Sequence, residues 1–283
     1  LVSVKGLKKL TNGIRKMLSF NHLGNLGRLG NQMFQYASLK GIAKNRGYDF
    51  SIPPKETFGK IDNVVKNSDL NLYDVFNIEE KNTVGLIPNP RLPERRHDFD
   101  QELFINCPDN IDLFGYYQTE KYFKHIEKEI REDFTFDSNL KENCVAFVDD
   151  ISSGKEVISL HIRRGDYVTN PNHPTQTMEY YINALKNFPD DCVVLVFSDD
   201  FEWCDQQELF SEDRFFISQE SSTDADLCMM SVCNYHIIAN SSYSWWGAWL
   251  AESKGIIAPK NWFGGDCIEK STTDFSFGNF KFL

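Results

Sequence analysis

Strand and helix signals alternate along this chain, and the alternation predicts an α/β protein built on parallel sheets. It is clearest beyond residue 155, where short apolar runs recur between amphipathic stretches. A second observation lies near the start, where an apolar segment enters a loop with three glycines and leaves it as a helical pattern. The third is size: 283 residues, 41% hydrophobic and 14% aromatic, can bury one large core or two smaller ones.

Taken in order, residues 17–20 read as a first strand. The loop Gly24-Asn25-Leu26-Gly27-Arg28-Leu29-Gly30-Asn31-Gln32 follows, and a helix carries Met33, Phe34, Ala37 and Ile42 before ending near Arg46-Gly47. Backbone N–H groups at such a helix start suit an anion or a sugar, which makes Gly27, Gly30, Asn31 and Gln32 candidate ligand contacts. The glycines fall as G-x-x-G-x-x-G, so the dinucleotide fingerprint is not met, although Asp49, at the end of a plausible next strand, mimics its ribose-binding acid. A P-loop is excluded because G-K-[ST] is missing. Residues 53–98 carry five prolines and little periodicity, and read as long irregular connections suited to an acceptor; Arg95-Arg96-His97 within them reads as a solvated loop. A strand at 111–114, a helix at about 119–132 and a helix at 140–151 lead to Ser152-Ser153-Gly154-Lys155. This divides the chain into a basic leader (1–16) with no assigned role, an N-terminal domain (17–151) and a C-terminal domain (152–283). In the last, strands are predicted at 156–162, 192–197, 215–217, 236–239 and 256–258, and helices at 178–188, 224–234 and 244–253.

Charge narrows the function. With 30 basic and 41 acidic residues, a net of -11, non-specific binding to nucleic acid or to an anionic membrane is excluded. An anionic ligand needs a local basic pocket. Seven cysteines, none spaced C-x-x-C and most in apolar runs, read as buried free thiols in a reducing compartment. No apolar stretch reaches 18 residues and no signal peptide is evident, so a soluble cytoplasmic protein without integral membrane association is expected.

The basic pocket is found at His161-Ile162-Arg163-Arg164-Gly165-Asp166-Tyr167, to which the apolar run 157–160 delivers the chain. Gly165 allows a sharp turn, and the two guanidinium forks would stand at a strand's carboxyl end, where open α/β sheets bind ligands. Paired arginines suit a diphosphate; a surface pair in salt bridges is the plain alternative. Three further strand or helix ends carry polar groups. Ser198, Asp199 and Asp200 either hold a ribose hydroxyl or cap a helix. Ser241 and Ser242 either cap the Trp245-Trp246-Gly247-Ala248-Trp249 helix or donate to a phosphate, and the tryptophans read as packing. Asp224 and Asp226 either cap a helix or face a purine edge. Asn240-Ser241-Ser242 also spells a glycosylation sequon, without consequence in a cytoplasmic protein.

Four blocks together, G-R-L-G-N-Q-M-F-Q-Y-A (27–37), H-I-R-R-G-D-Y (161–167), F-S-D-D-x-x-W (197–203) and I-I-A-N-S-S-Y-S-W-W-G-A-W-L (237–250), resemble glycosyltransferase family 11, the α-1,2-fucosyltransferases of bacteria and animals. Ile256-Ile257-Ala258-Pro259-Lys260 with Trp262-Phe263 looks like the family's closing strand and turn, and Arg28 departs from a usual glycine. The resemblance implies a GT-B-like fold, two Rossmann-like domains facing across a cleft, with GDP-fucose in the C-terminal one. It also implies inverting transfer, without metal or other cofactor, to a galactose-containing acceptor. Arg163 would hold the β-phosphate with Arg164 in support, Asp226 would read guanine, and His161 and Ser242 would line the nucleotide pocket. Asp166, next on the turn, is the candidate base; a carboxylate that only orients the arginines, and a dissociative reaction with no dedicated base, stay open. A transferase of another nucleotide sugar and a non-catalytic glycan- or nucleotide-binding protein are the alternatives.

Overall fold

The computed structural model describes residues 16–58, 70–78, 87–219 and 222–283. Residues 1–15 of the leader and parts of the irregular region (59–69 and 79–86) lie outside the described residues. Two all-parallel sheets form the frame. The first contains β1 (Met17–Ser19), β2 (Asp49–Ser51), β3 (Arg91–Pro93) and β4 (Ile111–Phe114), in the order β2-β1-β4-β3. The second contains β5 (Val157–Ile162), β6 (Val193–Ser198), β7 (Phe215–Ile217), β8 (Tyr235–Ile237), β9 (Ile256–Ala258) and β10 (Phe280–Phe282), in the order β10-β9-β8-β5-β6-β7. All six residues of β5, Ser159 and His161 included, and the apolar run Val193–Phe197 of β6 are buried, as expected when both faces of a parallel sheet are covered.

The order of strands fixes where ligands go. In the second sheet the chain winds from β5 to β6 and β7 on one side, then returns to place β8 on the other side of β5. The crevice at the carboxyl ends of β5 and β8 is therefore a topological switch point. The first sheet has its own between β1 and β4.

Nine α-helices are seen among the described residues: α1 (Leu29–Arg46), α2 (Leu72–Val75), α3 (Gln101–Asn106), α4 (Glu127–Asp133), α5 (Ser138–Ser152), α6 (Met178–Leu185), α7 (Phe201–Asp205), α8 (Thr223–Met230) and α9 (Ser242–Leu250). The long helix α1 ends where Gly47 takes the left-handed conformation and returns its N–H to Ala43 and Lys44. It is buried on nearly every side because it is clasped between its own sheet and α9. The contact is aromatic: Phe34 lies 4.5 Å from Trp245 and 4.9 Å from Trp246 between ring centres, and Trp246 stacks on Phe123 at 5.4 Å. Trp246 Nε1 donates to the Gly30 carbonyl at 3.0 Å. One continuous core consequently joins the two sheets.

Several expectations shift. Asp49 opens β2 rather than closing it. The helix expected at about 119–132 is two 3-10 turns, Glu120–Tyr122 and Lys124–Ile126, followed by α4. Phe123 leaves helical geometry there (φ −127°, ψ 2°), while the Tyr122 carbonyl presses against Gly41 of α1 with no room for a Cβ. His97 is half-buried rather than solvated, its ring edge-on to Phe263 and Phe275; burial, then the Lys270 charge, pushes it down to about 4. Among the described residues no helix is long and apolar enough to cross a membrane.

Candidate active site

The turn after β5 places its two arginines in a lattice of carboxylates. Arg163 is only 13% exposed; Nη1 lies 2.7 Å from Asp199 Oδ2, and Nη2 meets Asp166 Oδ1. Asp199 turns its other oxygen to the backbone N–H of Arg164 at 2.8 Å. Arg164 Nε pairs with Asp200 at 2.9 Å, and its guanidinium lies over Trp203, 4.0 Å from the ring centre. Gly165 is required because a Cβ there would collide with the Asp199 carboxylate. Tyr167 completes the corner, its ring 5.2 Å from the Arg163 guanidinium and its hydroxyl donating to the Asn240 carbonyl at 3.3 Å.

The turn after β8 meets the glycine loop of the first sheet. Ser241 caps α9, accepting from the Tyr243 N–H at 3.3 Å. Ser242 donates to Asn31 Oδ1 at 2.9 Å, and Gln118 donates to the same oxygen. Gly30 lets the start of α1 press on the start of α9: a Cβ there would sit 2.6 Å from the Tyr243 nitrogen. Gly27 takes a positive φ that leaves space for the Asn31 side chain. Two helix N-termini, each with a partial positive charge, thus converge at one point. Arg28, extended just before α1, reaches across to Asp166 at 3.7 Å. In a chain of net charge -11, two helix ends here meet Arg28, Arg163 and Arg164, whose charges are matched by Asp166, Asp199 and Asp200, so the converging N–H groups and guanidinium forks are held in place for an anion.

His161 is buried (5% exposed) rather than open to the pocket, its Nδ1 2.8 Å from Ser244 Oγ. Burial, with the Arg163 charge, pushes it down to about 3, so it is a neutral tie between β5 and α9. Gln32 is likewise buried in the first turn of α1. Of the two readings of Ser198-Asp199-Asp200 the helix cap is seen at Asp200, which caps α7 through the Trp203 N–H while its own N–H donates to Ser198 Oγ; Asp199 instead pairs with Arg163 and accepts from the Arg164 N–H. Asp226, in the first turn of α8, accepts from Ser218 Oγ at 2.8 Å beyond β7. Asn240 is 1% exposed, its amide donating to Pro174 and Trp262 carbonyls, so the sequon is closed to modification.

Arg163, Arg164, Asp166, Asp199, Ser241, Ser242, Gly30 and Asn31 are accordingly brought to one crevice, with Asp226 off its β7 side. Arg28 was missed as a site residue, although its replacement of a usual glycine was a visible signal. Also missed were the polar groups at the edge of the first sheet, His22 and Asp112; a lone aspartate inside the apolar strand Ile111–Phe114 was the available clue. Among the described residues no group of three or more His, Cys, Asp or Glu is arranged to hold a metal ion.

A model of glycosyl transferase family 11 matches residues 6–276. An α-1,2-colitosyltransferase of Escherichia coli is 35% identical, over 84% of this chain and 90% of its own. The galactoside 2-α-L-fucosyltransferase SEC1 of Bos taurus is 26% identical, over 80% of this chain and 62% of its own. Among solved structures, the α-1,6-fucosyltransferase NodZ soaked with GDP-fucose matches with a TM-score of 0.56 at 15% identity, over 89% of this chain and 97% of that one. That likeness shows the fold, a GT-B-like pair of Rossmann-like domains facing across a cleft.

Proposed function

The chain belongs to glycosyl transferase family 11 and is an enzyme of that kind, and from that footing we propose that it transfers L-fucose from GDP-β-L-fucose to the 2-hydroxyl of a galactosyl acceptor, with inversion and without a metal ion. The observation that carries this reading is the convergence of Arg163, Arg28 and two helix N-termini at the β5–β8 switch point. When the acceptor oxygen attacks the anomeric carbon, the bond to the β-phosphate breaks and negative charge grows on the departing GDP. Fixed guanidinium donors in a sheltered crevice stabilise that charge in the transition state, the task a divalent ion performs elsewhere.

In this reading Arg163 faces the β-phosphate and Arg164, set over the Trp203 ring, supports it. Ser242 and Asn31 close over the diphosphate from the two domains. Asp226, beyond β7, receives the guanine edge. Asp166 orients: its Oδ1 already faces two guanidinium groups, which suits holding Arg163 better than taking a proton. Six of the seven cysteines are buried and all are free thiols, in keeping with a reducing, cytoplasmic setting.

A second donor is favoured by one specific observation, the 35% identity to a colitosyltransferase. Colitose is fucose without its 3-hydroxyl, so the two donors differ by one hydrogen-bonding group. The test is incubation with GDP-fucose or GDP-colitose, a panel of galactosides including lactose, and a chelator, followed by linkage analysis. An α-1,2-fucosylated product formed equally with chelator is expected. Colitose transfer at higher kcat/KM replaces the donor; GDP binding with no transfer from either donor replaces the enzyme by a binding protein.

A further inference from the structure

The edge of the first sheet carries a second convergent set of polar groups that the donor site does not use. A cavity of about 450 Å³ opens there, at the β1–β4 switch point, lined by Asn21, His22, Asn89, Arg91 and Asp112 among others. Asp112 projects from the middle of β4 and is 3% exposed. Its Oδ1 accepts from Ser19 Oγ at 3.1 Å and from the Asn21 N–H at 2.7 Å. Its Oδ2 lies 3.9 Å from His22 Nδ1. The imidazole stands edge-on to Phe114, 5.1 Å between centres, and Arg91 lies over the same ring at 4.7 Å.

The protonation of His22 can be read from its neighbour. Arg91 Nη2 is 2.9 Å from His22 Nε2, and a guanidinium has only protons to offer. The Nε2 atom therefore presents its lone pair, and the ring proton rests on Nδ1, on the side of the buried carboxylate. An imidazole that turns an Nε2 lone pair to a cavity, with a fixed carboxylate 3.9 Å from its Nδ1, is arranged as a general base. His22 belongs to the same β1–α1 loop as Arg28, which lies 3.7 Å from Asp166 in the other domain, so one loop carries both the cavity's histidine and a donor-site arginine.

We propose that His22 is the catalytic base of the transfer, with Asp112 as its positioning residue and the lined cavity as the seat of the acceptor sugar. The proposal rests on the fucosyl-transfer reading above. The acceptor hydroxyl takes the place of Arg91 at Nε2 and gives its proton to that nitrogen as its oxygen bonds to the anomeric carbon. The electron pair of the breaking C–O bond leaves with GDP toward Arg163. Arg91, displaced but adjacent, donates to the acceptor oxygen. Asp112 steadies the imidazolium that forms. Among the described residues, Asp112 from β4 and Arg91 from β3 are the charged groups that face the ring.

The test is steady-state kinetics of the full chain and its H22Q and D112N variants with GDP-fucose and a galactoside, across pH, with the thermal shift on adding GDP as a check of fold and donor site. H22Q is expected to lower kcat about 10²–10³-fold and to lose the acid limb of the kcat/KM profile, with the GDP shift and acceptor KM near wild type. D112N is expected to lose about tenfold or more in kcat and to displace that limb. H22Q with kcat within about threefold of wild type, or with a loss confined to acceptor KM, overturns the base. If H22Q shows no GDP shift, H22N and D112N decide by the same two criteria. A wild-type chain that transfers no sugar overturns the donor reading and the base with it, whereas active wild type with an unaffected variant overturns the base alone.

Discussion

Arg163 is gripped from two sides, by Asp199 and by Asp166, and so keeps one orientation before any ligand arrives. Replacing it by alanine removes a fixed donor from the developing charge; a fall of about 10²–10³-fold in kcat is expected, with little change in thermal midpoint. Lysine should not restore activity, because a point charge cannot reproduce the two-sided fork. Gly165→Ala tests the grip itself: the new Cβ pushes on Asp199 and loosens Arg163, while the Arg164 side chain stays on Asp200 and Trp203. Transfer should drop at least about tenfold while urea stability changes by less than about 1 kcal/mol, and unchanged kinetics would contradict the coupling. Much at this scale was legible, since two adjacent arginines after a buried strand and before a glycine have few uses in an acidic protein. His161 was less so. Its place beside the arginines suggested a ligand contact, but on β5 alternate side chains point to opposite faces, and its own points to Ser244 of α9.

Helices α1 and α9 meet end to end and face to face, and two residues make that meeting possible. Gly30→Ala would place a carbon against backbone rather than against a yielding side chain. Separation of the helix starts, loss of the Ser242–Asn31 hydrogen bond and a weaker GDP-induced thermal shift are expected. Trp246→Ala would open a large hole at the centre of the aromatic contact and cost about 3–5 kcal/mol, measurable as a shift of the urea midpoint. The elements legible in sequence were those with long apolar signals, such as β5, β6 and α1. Those missed are short: α7, β3 and β10 have five, three and three residues, too few for a period to show. The stretch around Phe123 failed for another reason. Its residues have helical spacing, but close backbone approach to Gly41 overrides it.

Over the whole molecule, the buried histidines set the response to acid. His161 and His236 are pushed down to about 3 and about 4 by burial, below the ordinary value near 6.5. As pH falls below about 6.5 the unfolded chain takes up protons that the folded chain refuses, so each ring withdraws about 1.4 kcal/mol per pH unit. The stability they confer is whole above that value and lost by about 4 for His236 and about 3 for His161. Asp112 and Glu94, raised by burial, act in the opposite direction at the acid end. Thermal midpoints measured from about pH 7 to about pH 5 should decline, and His236→Gln should flatten the decline by about one proton. A slope equal to wild type would remove His236 from the account.

The clasp of Phe34, Phe123, Trp245 and Trp246 has a corollary for how this molecule can be taken apart. Neither half owns a finished interior, since each completes itself with rings from the other. A gene severed between Ser153 and Gly154 should give two polypeptides that precipitate when made singly and recover as a soluble, working pair when made side by side.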